Sequence, residues 1–137
     1  MDRPGQKPPT ILVIDDSDGL CAVLAAALRK AGYTVQTAHD SGQALFQLLG
    51  VDSVDMVIAD IRMPGLSGAQ LYRMVKERRP QIADRFVFMT GSPLAARDKT
   101  LLGDSAGRVM FKPIFRTDLL ECVETFLGRP PSSSSSS

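Results

Sequence analysis

The chain has 137 residues, 44% of them hydrophobic and 23% charged, a composition that suits one globular core and leaves too little length for two. Sixteen Lys and Arg against fifteen Asp and Glu give a net charge of +1, which excludes nucleic-acid binding driven by bulk charge. No apolar run approaches the roughly 20 residues that cross a bilayer, and the polar N-terminus lacks the apolar stretch of a signal peptide.

Residues 1–8 are polar and proline-rich and read as a tether. Thr10-Ile11-Leu12-Val13-Ile14 is a continuous apolar run, the pattern of a strand buried on both faces, and it ends in Asp15-Asp16. Leu20, Leu24, Ala27, Leu28 and Ala31 recur at helical spacing until Gly32 stops the helix. Residues 33–38 alternate as an outer strand does. Asp40 and Gln43 then have the spacing of a capping box, ahead of a stripe of Ala44, Leu45, Leu48 and Leu49. Met56-Val57-Ile58-Ala59 runs straight into Asp60, with Pro64-Gly65 close behind as a turn signal.

Ser67 and Gln70 form a second capping box, opening a helix with Leu71, Met74 and Val75 on one face and Arg73, Lys76, Arg78 and Arg79 on a solvated one. Pro80 bars its continuation. Arg85–Met89 is the fourth strand and ends at Thr90-Gly91; Pro93 suits the first turn of a short helix running to about Leu102. Residues 108–111 form the fifth strand, ending in Lys112-Pro113. A last amphipathic helix carries Leu119, Leu120, Val123, Phe126 and Leu127. Residues 129–137, a Pro-Pro pair and six serines among them, read as a disordered tail. Cys21 and Cys122, far apart in helical patterns, read as reduced core residues of a cytoplasmic protein. Five strands alternating with five helices predict an α/β fold with a parallel sheet and helices on both faces.

In a parallel sheet the carboxyl ends of the strands share one edge, where ligands and chemistry collect. Asp15 and Asp16 end the first strand, Asp60 the third, Thr90 the fourth and Lys112 the fifth. Each alone has a plainer reading: a turn and helix cap for Asp15-Asp16, a loop former for Asp60, a hydroxyl bonded to backbone for Thr90, a solvated charge for Lys112. Independent turn formers need not all fall at one edge with complementary charge, and that coincidence favours a functional set. Three crowded carboxylates repel unless a cation neutralises them, and hard oxygen ligands of this kind suit Mg²⁺ with a phosphate-bearing substrate. Lys112 and the Thr90 hydroxyl would then face phosphoryl oxygens, the charge compensation that phosphoryl transfer needs. His39 is expected on the surface, away from this edge. Arg62 reads as a screen for a phosphorylated Asp60 or as a solvated side chain, and Gly91 as space beside that site or as a turn glycine.

The motifs Val13-Ile14-Asp15-Asp16, Ile58-Ala59-Asp60-Ile61-Arg62-Met63-Pro64-Gly65, Met89-Thr90-Gly91 and Phe111-Lys112-Pro113-Ile114, in this order, resemble those of receiver domains of two-component response regulators across residues 9–128. The resemblance implies a flavodoxin-like doubly wound (βα)5 fold with strand order 2-1-3-4-5. It implies that Asp60 accepts a phosphoryl group from a histidine kinase or histidine phosphotransfer protein. It further implies Mg²⁺ on Asp16 and Asp60 directly, on Asp15 through water and on the Arg62 backbone carbonyl, with Thr90 and Lys112 on the phosphoryl oxygens and a cis Lys112–Pro113 bond. No direct nucleic-acid or membrane contact follows from it, and homodimerisation on phosphorylation is left open. Val109 stands where receivers with an output domain usually carry Tyr or Phe, with Phe111 expected on the opposite face of the strand; in lacking that aromatic the chain resembles receivers at the C-terminus of hybrid histidine kinases. Two rivals remain: a pseudo-receiver that only binds partners, and an aspartate-nucleophile phosphatase, which usually needs a second acid where this chain has Arg62.

Overall fold

The computed structural model describes residues 8–50, 54–103 and 108–128. The tether expected over 1–8, apart from Pro8, and the tail expected over 129–137 lie outside the described residues. Five strands, β1 (Thr10–Ile14), β2 (Thr34–Ala38), β3 (Met56–Asp60), β4 (Phe86–Thr90) and β5 (Val109–Phe111), pair in parallel in the order β2-β1-β3-β4-β5. The helices are α1 (Asp18–Lys30), α2 (Ser41–Gly50), α3 (Gly68–Arg78), α4 (Pro80–Ala83), α5 (Ala96–Leu102) and α6 (Arg116–Leu127). The doubly wound flavodoxin-like fold and its strand order are those expected.

The unbroken apolar runs of the central strands have a direct cause: successive side chains point to opposite faces, and both faces are covered. Leu12, Ile14, Val57, Ala59, Phe86 and Phe88 pack with Ala44 and Leu48 of α2 and Leu71 and Val75 of α3. Their neighbours in the chain, Ile11, Val13, Met56, Ile58, Val87 and Met89, pack with Leu24 and Leu28 of α1 and Leu119 and Val123 of α6. Tyr72 meets Phe86 and Phe88 edge-on, with ring centroids 5.6 Å apart in both pairs. Burying each such phenylalanine is worth about 1.5–3 kcal/mol. Two layers of helix thus clamp the strands from both sides, and only the strand ends are free to do chemistry.

Helix starts follow the expected caps. Ser67 and Gln70 complete a reciprocal capping box on α3. At α2, Asp40 accepts from the Gln43 amide at 2.8 Å, while the Gln43 side chain accepts from the amide of His39, one residue earlier than in a strict box. Ser17 caps α1, a role for which its sequence position gave no clear sign.

Several boundaries differ from expectation. Pro80 ends α3 and also opens the four-residue turn α4, because proline's missing N–H costs nothing at a first helical position. The helix expected from Pro93 begins at Ala96, since residues 90–92 are held in a side-chain-bonded turn. Arg79 is not part of a solvated face: it is half-buried and its Nη1 donates to the Leu48 carbonyl at 2.9 Å, whereas Arg73, Lys76 and Arg78 are exposed. Phe111 lies on the same side of β5 as Val109, not opposite it, because side-chain direction repeats every second residue; it is 61% exposed, while Val109 packs against the α2/α3 side of the core. Cys21 is buried, Cys122 half-buried, and neither is in a disulfide. The Lys112–Pro113 bond is cis, as the resemblance implied.

Candidate functional site: an acidic cluster at the carboxyl edge of the sheet

Parallel pairing carries the ends of β1, β3, β4 and β5 to one edge. Asp60 and Thr90 are the last residues of their strands, and Asp15 and Lys112 follow theirs by one position. Carboxylate oxygens of Asp15, Asp16 and Asp60 lie within 4.8 Å of one another. Asp15 and Asp60 are buried and Asp16 is exposed, so the cluster opens to solvent on the Asp16 side. Lys112 reaches across from β5: its Nζ is 3.2 Å from Asp15 Oδ2 and 3.4 Å from Asp60 Oδ1. Residues 97 positions apart thereby form one ion-paired group.

Backbone amides hold the two buried carboxylates in place. Ser17 N–H donates to Asp15 Oδ1 at 2.8 Å, and Arg62 N–H donates to Asp60 Oδ1 at 3.3 Å. No hydrogen bond among the described residues engages Asp60 Oδ2. Behind Asp60, α3 comes in so close that only glycine fits at its start. A Cβ on Gly68 would press into the Asp60 carbonyl oxygen and stand 3.0 Å from its carbonyl carbon and 3.1 Å from Ile61 Cα. The Gly68 amide donates to the Ile61 carbonyl at 2.9 Å, fixing that approach. Gly68 and Ser17 were missed at the level of sequence. The signal available for Gly68 was its place directly after the capping Ser67, a few residues beyond Asp60.

The electrostatics record the crowding. Burial, then the neighbouring Asp15 charge, push the Asp60 carboxyl above its usual range, and Lys112 and the Arg62 amide only partly offset them. Burial pulls Lys112 down, but Asp60 and Asp15 outweigh it and hold the ammonium above the ordinary lysine value. One lysine facing three carboxylates leaves an excess of negative charge, and every donor in the cluster is a hard oxygen. That donor set fits Mg²⁺, which takes few protein ligands and keeps waters.

Thr90 is at the expected strand end and is buried, but its hydroxyl is turned into its own loop. Oγ1 donates to the Ser92 carbonyl at 2.9 Å and accepts from the Ser92 amide at 3.4 Å. His39 corrects a second expectation. It follows β2, which pairs in parallel with β1, so it stands at this same edge rather than away from it, and its Nδ1 is 3.1 Å from Asp18 Oδ1 with both side chains exposed. Arg62 is exposed, as expected of a side chain at the mouth of the cluster.

Among the described residues no helix is long and apolar enough to cross a membrane. The family model described as the response regulator receiver domain matches residues 11–124. The two-component response regulator ORR11 of Oryza sativa subsp. indica is 34% identical over 116 residues, 84% of this chain and 78% of that protein. The response regulator receiver protein CpdR of Brucella abortus (strain 2308) is 30% identical over 117 residues, 85% of this chain and 95% of that one. A CheY-like receiver domain protein from Methanospirillum hungatei JF-1 has the same fold, with a TM-score of 0.79 over 89% of this chain and 95% of that one at 22% identity. Strand order, acidic edge and these likenesses agree, and the chain belongs to the response regulator receiver domain family, the signalling modules of two-component systems.

Proposed function

We propose that this receiver accepts a phosphoryl group on Asp60 from a phosphohistidine of a histidine kinase or histidine phosphotransfer protein, and passes the signal on as a change of state or by relay. The observation that carries the reading is the position of Asp60: buried, flanked by two carboxylates, 3.4 Å from Lys112, and with Oδ2 unengaged.

In this reading an Asp60 oxygen attacks phosphorus, the P–N bond to the donor imidazole breaks with its electron pair leaving on nitrogen, and an acyl phosphate forms. Lys112 pairs with one phosphoryl oxygen as negative charge builds there. The Thr90 hydroxyl binds a second phosphoryl oxygen after giving up its bond to Ser92. Arg62 N–H keeps the Asp60 carboxylate oriented throughout. Asp15, Asp16, Asp60 and the Arg62 carbonyl would hold Mg²⁺, which when bound neutralises the carboxylates and the transferring group. With Val109 in place of an aromatic, the Thr90 loop has no aromatic rotamer to drive, so its own Ser92 bond is the contact that phosphorylation must break. The same site catalyses the slow hydrolysis of its acyl phosphate and turns over no external substrate. Arg62 stands where an aspartate-nucleophile phosphatase needs a second acid.

Acetyl phosphate with Mg²⁺, read by intact mass, tests this directly. The expected result is a gain of one phosphate that vanishes in Asp60→Asn and without Mg²⁺. Unchanged labelling of Asp60→Asn would remove Asp60 as acceptor. Absence of labelling in the wild type, with no transfer from a phosphorylated histidine donor, would leave a partner-binding pseudo-receiver.

A further inference from the structure

The oxygens that would meet at the cation come from two parts of the chain: Asp15 and Asp16 from the end of β1, and Asp60 with the Arg62 carbonyl from the end of β3. The two are held in different ways. At β1, the Asp15 amide donates to the Ala38 carbonyl at 3.1 Å, which binds it to the β2–α2 junction. That junction is itself closed by hydrogen bonds. Asp40 Oδ1 accepts from the Gln43 amide, Gln43 Oε1 accepts from the His39 amide, and the Ala44 amide donates to the Asp40 carbonyl. Asp15 therefore sits on a firm frame.

The loop after β3 is held more sparsely. Ile61 is secured on both sides: its amide donates to the Met89 carbonyl and its carbonyl accepts from the Gly68 amide, both at 2.9 Å. Beyond it, two hydrogen bonds hold residues 62–66 among the described residues. One is Arg62 N–H to Asp60 Oδ1 at 3.3 Å. The other comes from outside the loop: the Ser41 hydroxyl donates to the Leu66 carbonyl at 2.7 Å, joining positions 25 residues apart. Ser41 is buried, so this bond is shielded from competing water. Pro64 has no amide to donate and Gly65, at φ 80°, adds backbone freedom, so the loop's own residues do little to fix it.

We propose that Ser41 is a positioning residue for the cation site: its hydroxyl clasps the β3–α3 loop to the β2–α2 junction and thereby keeps the Arg62 carbonyl in place relative to Asp15 and Asp16. Mg²⁺ demands near-ideal octahedral geometry, so a carbonyl donor that wanders costs affinity even when the carboxylates stay where they are. Ser41 stands at the first position of α2, which packs on the core through Ala44 and Leu48, so the clasp is mounted on a rigid element. The inference rests on the Mg²⁺ site of the proposed function, and not on transfer of phosphorus to Asp60.

Titration calorimetry of the full chain with Mg²⁺, with no phosphoryl donor present, tests it. The wild type is expected to bind the ion, and Ser41→Ala to bind it about fivefold more weakly, the worth of one buried hydrogen bond. Ser41→Thr, which keeps the donor, should bind like the wild type. In acetyl phosphate labelling, the Mg²⁺ concentration for half-maximal rate should rise by the same factor in Ser41→Ala, while the rate at saturating Mg²⁺ stays within about twofold, because Asp60, Lys112 and Thr90 are untouched. A bond that serves stability alone would lower the melting temperature in EDTA and leave Mg²⁺ affinity unchanged well below it. That result would overturn the proposal, as would a wild type that binds no Mg²⁺, or a loss in Ser41→Thr equal to that in Ser41→Ala. A wild type that binds Mg²⁺ but takes no label, with Ser41→Ala still the weaker binder, would remove the phosphoacceptor reading and uphold the clasp.

Discussion

The two edges of the sheet use charge in opposite ways. At the amino ends of the strands, charged side chains meet neutral backbone. Arg85 donates to the Val54 carbonyl at 2.6 Å, Arg108 to the Asp84 carbonyl at 2.8 Å, and Asp55 accepts from the Thr10 amide at 2.7 Å. Each such bond satisfies a backbone group that neither helix nor sheet has paired, and ties a loop to a strand. At the carboxyl ends charge meets charge: three carboxylates cluster, two of them share one lysine, and the resulting repulsion is left in place. One edge is built for stability, and the other holds a charge conflict that a bound cation would relieve.

The sharpest way to break this contrast is at Gly68. Alanine there forces the start of α3 away from the backbone of Asp60, an overpacking against main chain that cannot be relieved by a rotamer change. We expect a loss of about 3 kcal/mol in urea denaturation. Mg²⁺ affinity should fall as well, since the carboxylate moves with its backbone. A Gly68→Ala chain with wild-type stability and Mg²⁺ binding would show that the close approach is not needed.

The amino edge predicts the converse. Arg85→Met keeps the apolar stem and removes the bond to Val54, at a cost of about 2 kcal/mol for a charged donor lost to a half-buried carbonyl. Phosphorylation of the surviving folded protein should proceed at the wild-type rate, measured by acetyl phosphate labelling well below the melting point. A slowed rate at full folding would mean that the two edges are coupled through β3.

How far these edges can be read from sequence differs for physical reasons. β1 and β3 were legible because alternate residues fill both layers of the core, so the runs Ile11–Ile14 and Met56–Ala59 admit no polar residue. Asp15, Asp60 and Lys112 were legible because parallel pairing turns strand ends into neighbours whatever their separation in the chain. The same rule, applied to β2, would have placed His39 at this edge; its apparent distance came from viewing the outer strand alone. Pro80 stops α3 as read, and the short α4 it opens went unread because one residue both stops and starts helices. The bond of the Thr90 hydroxyl to backbone is the plainer of its two readings, though its partner, Ser92, is set by a rotamer; the packing against Gly68 lay beyond pattern altogether, because it depends on how α3 docks.

The smallest effect tests whether the conflict at the carboxyl edge costs stability. Asp60 has its carboxyl raised by burial and by Asp15, so folding favours its protonated form. A group raised in the folded state contributes its stability fully below its unfolded value and loses it as pH climbs through the folded one. Without Mg²⁺, the melting temperature of the wild type should therefore fall as pH rises from the usual carboxylate range through the raised value. Asp60→Asn should lack this decline and melt a few degrees higher at neutral pH, a gain smaller than either loss above. Adding Mg²⁺ should stabilise the wild type by mass action and leave the variant much less affected, which narrows or reverses their order. Scanning calorimetry across pH, with and without the ion, separates the outcomes. A wild type that is no less stable than Asp60→Asn in EDTA would mean that Lys112 already balances the cluster, and that the two edges differ in position but not in strain.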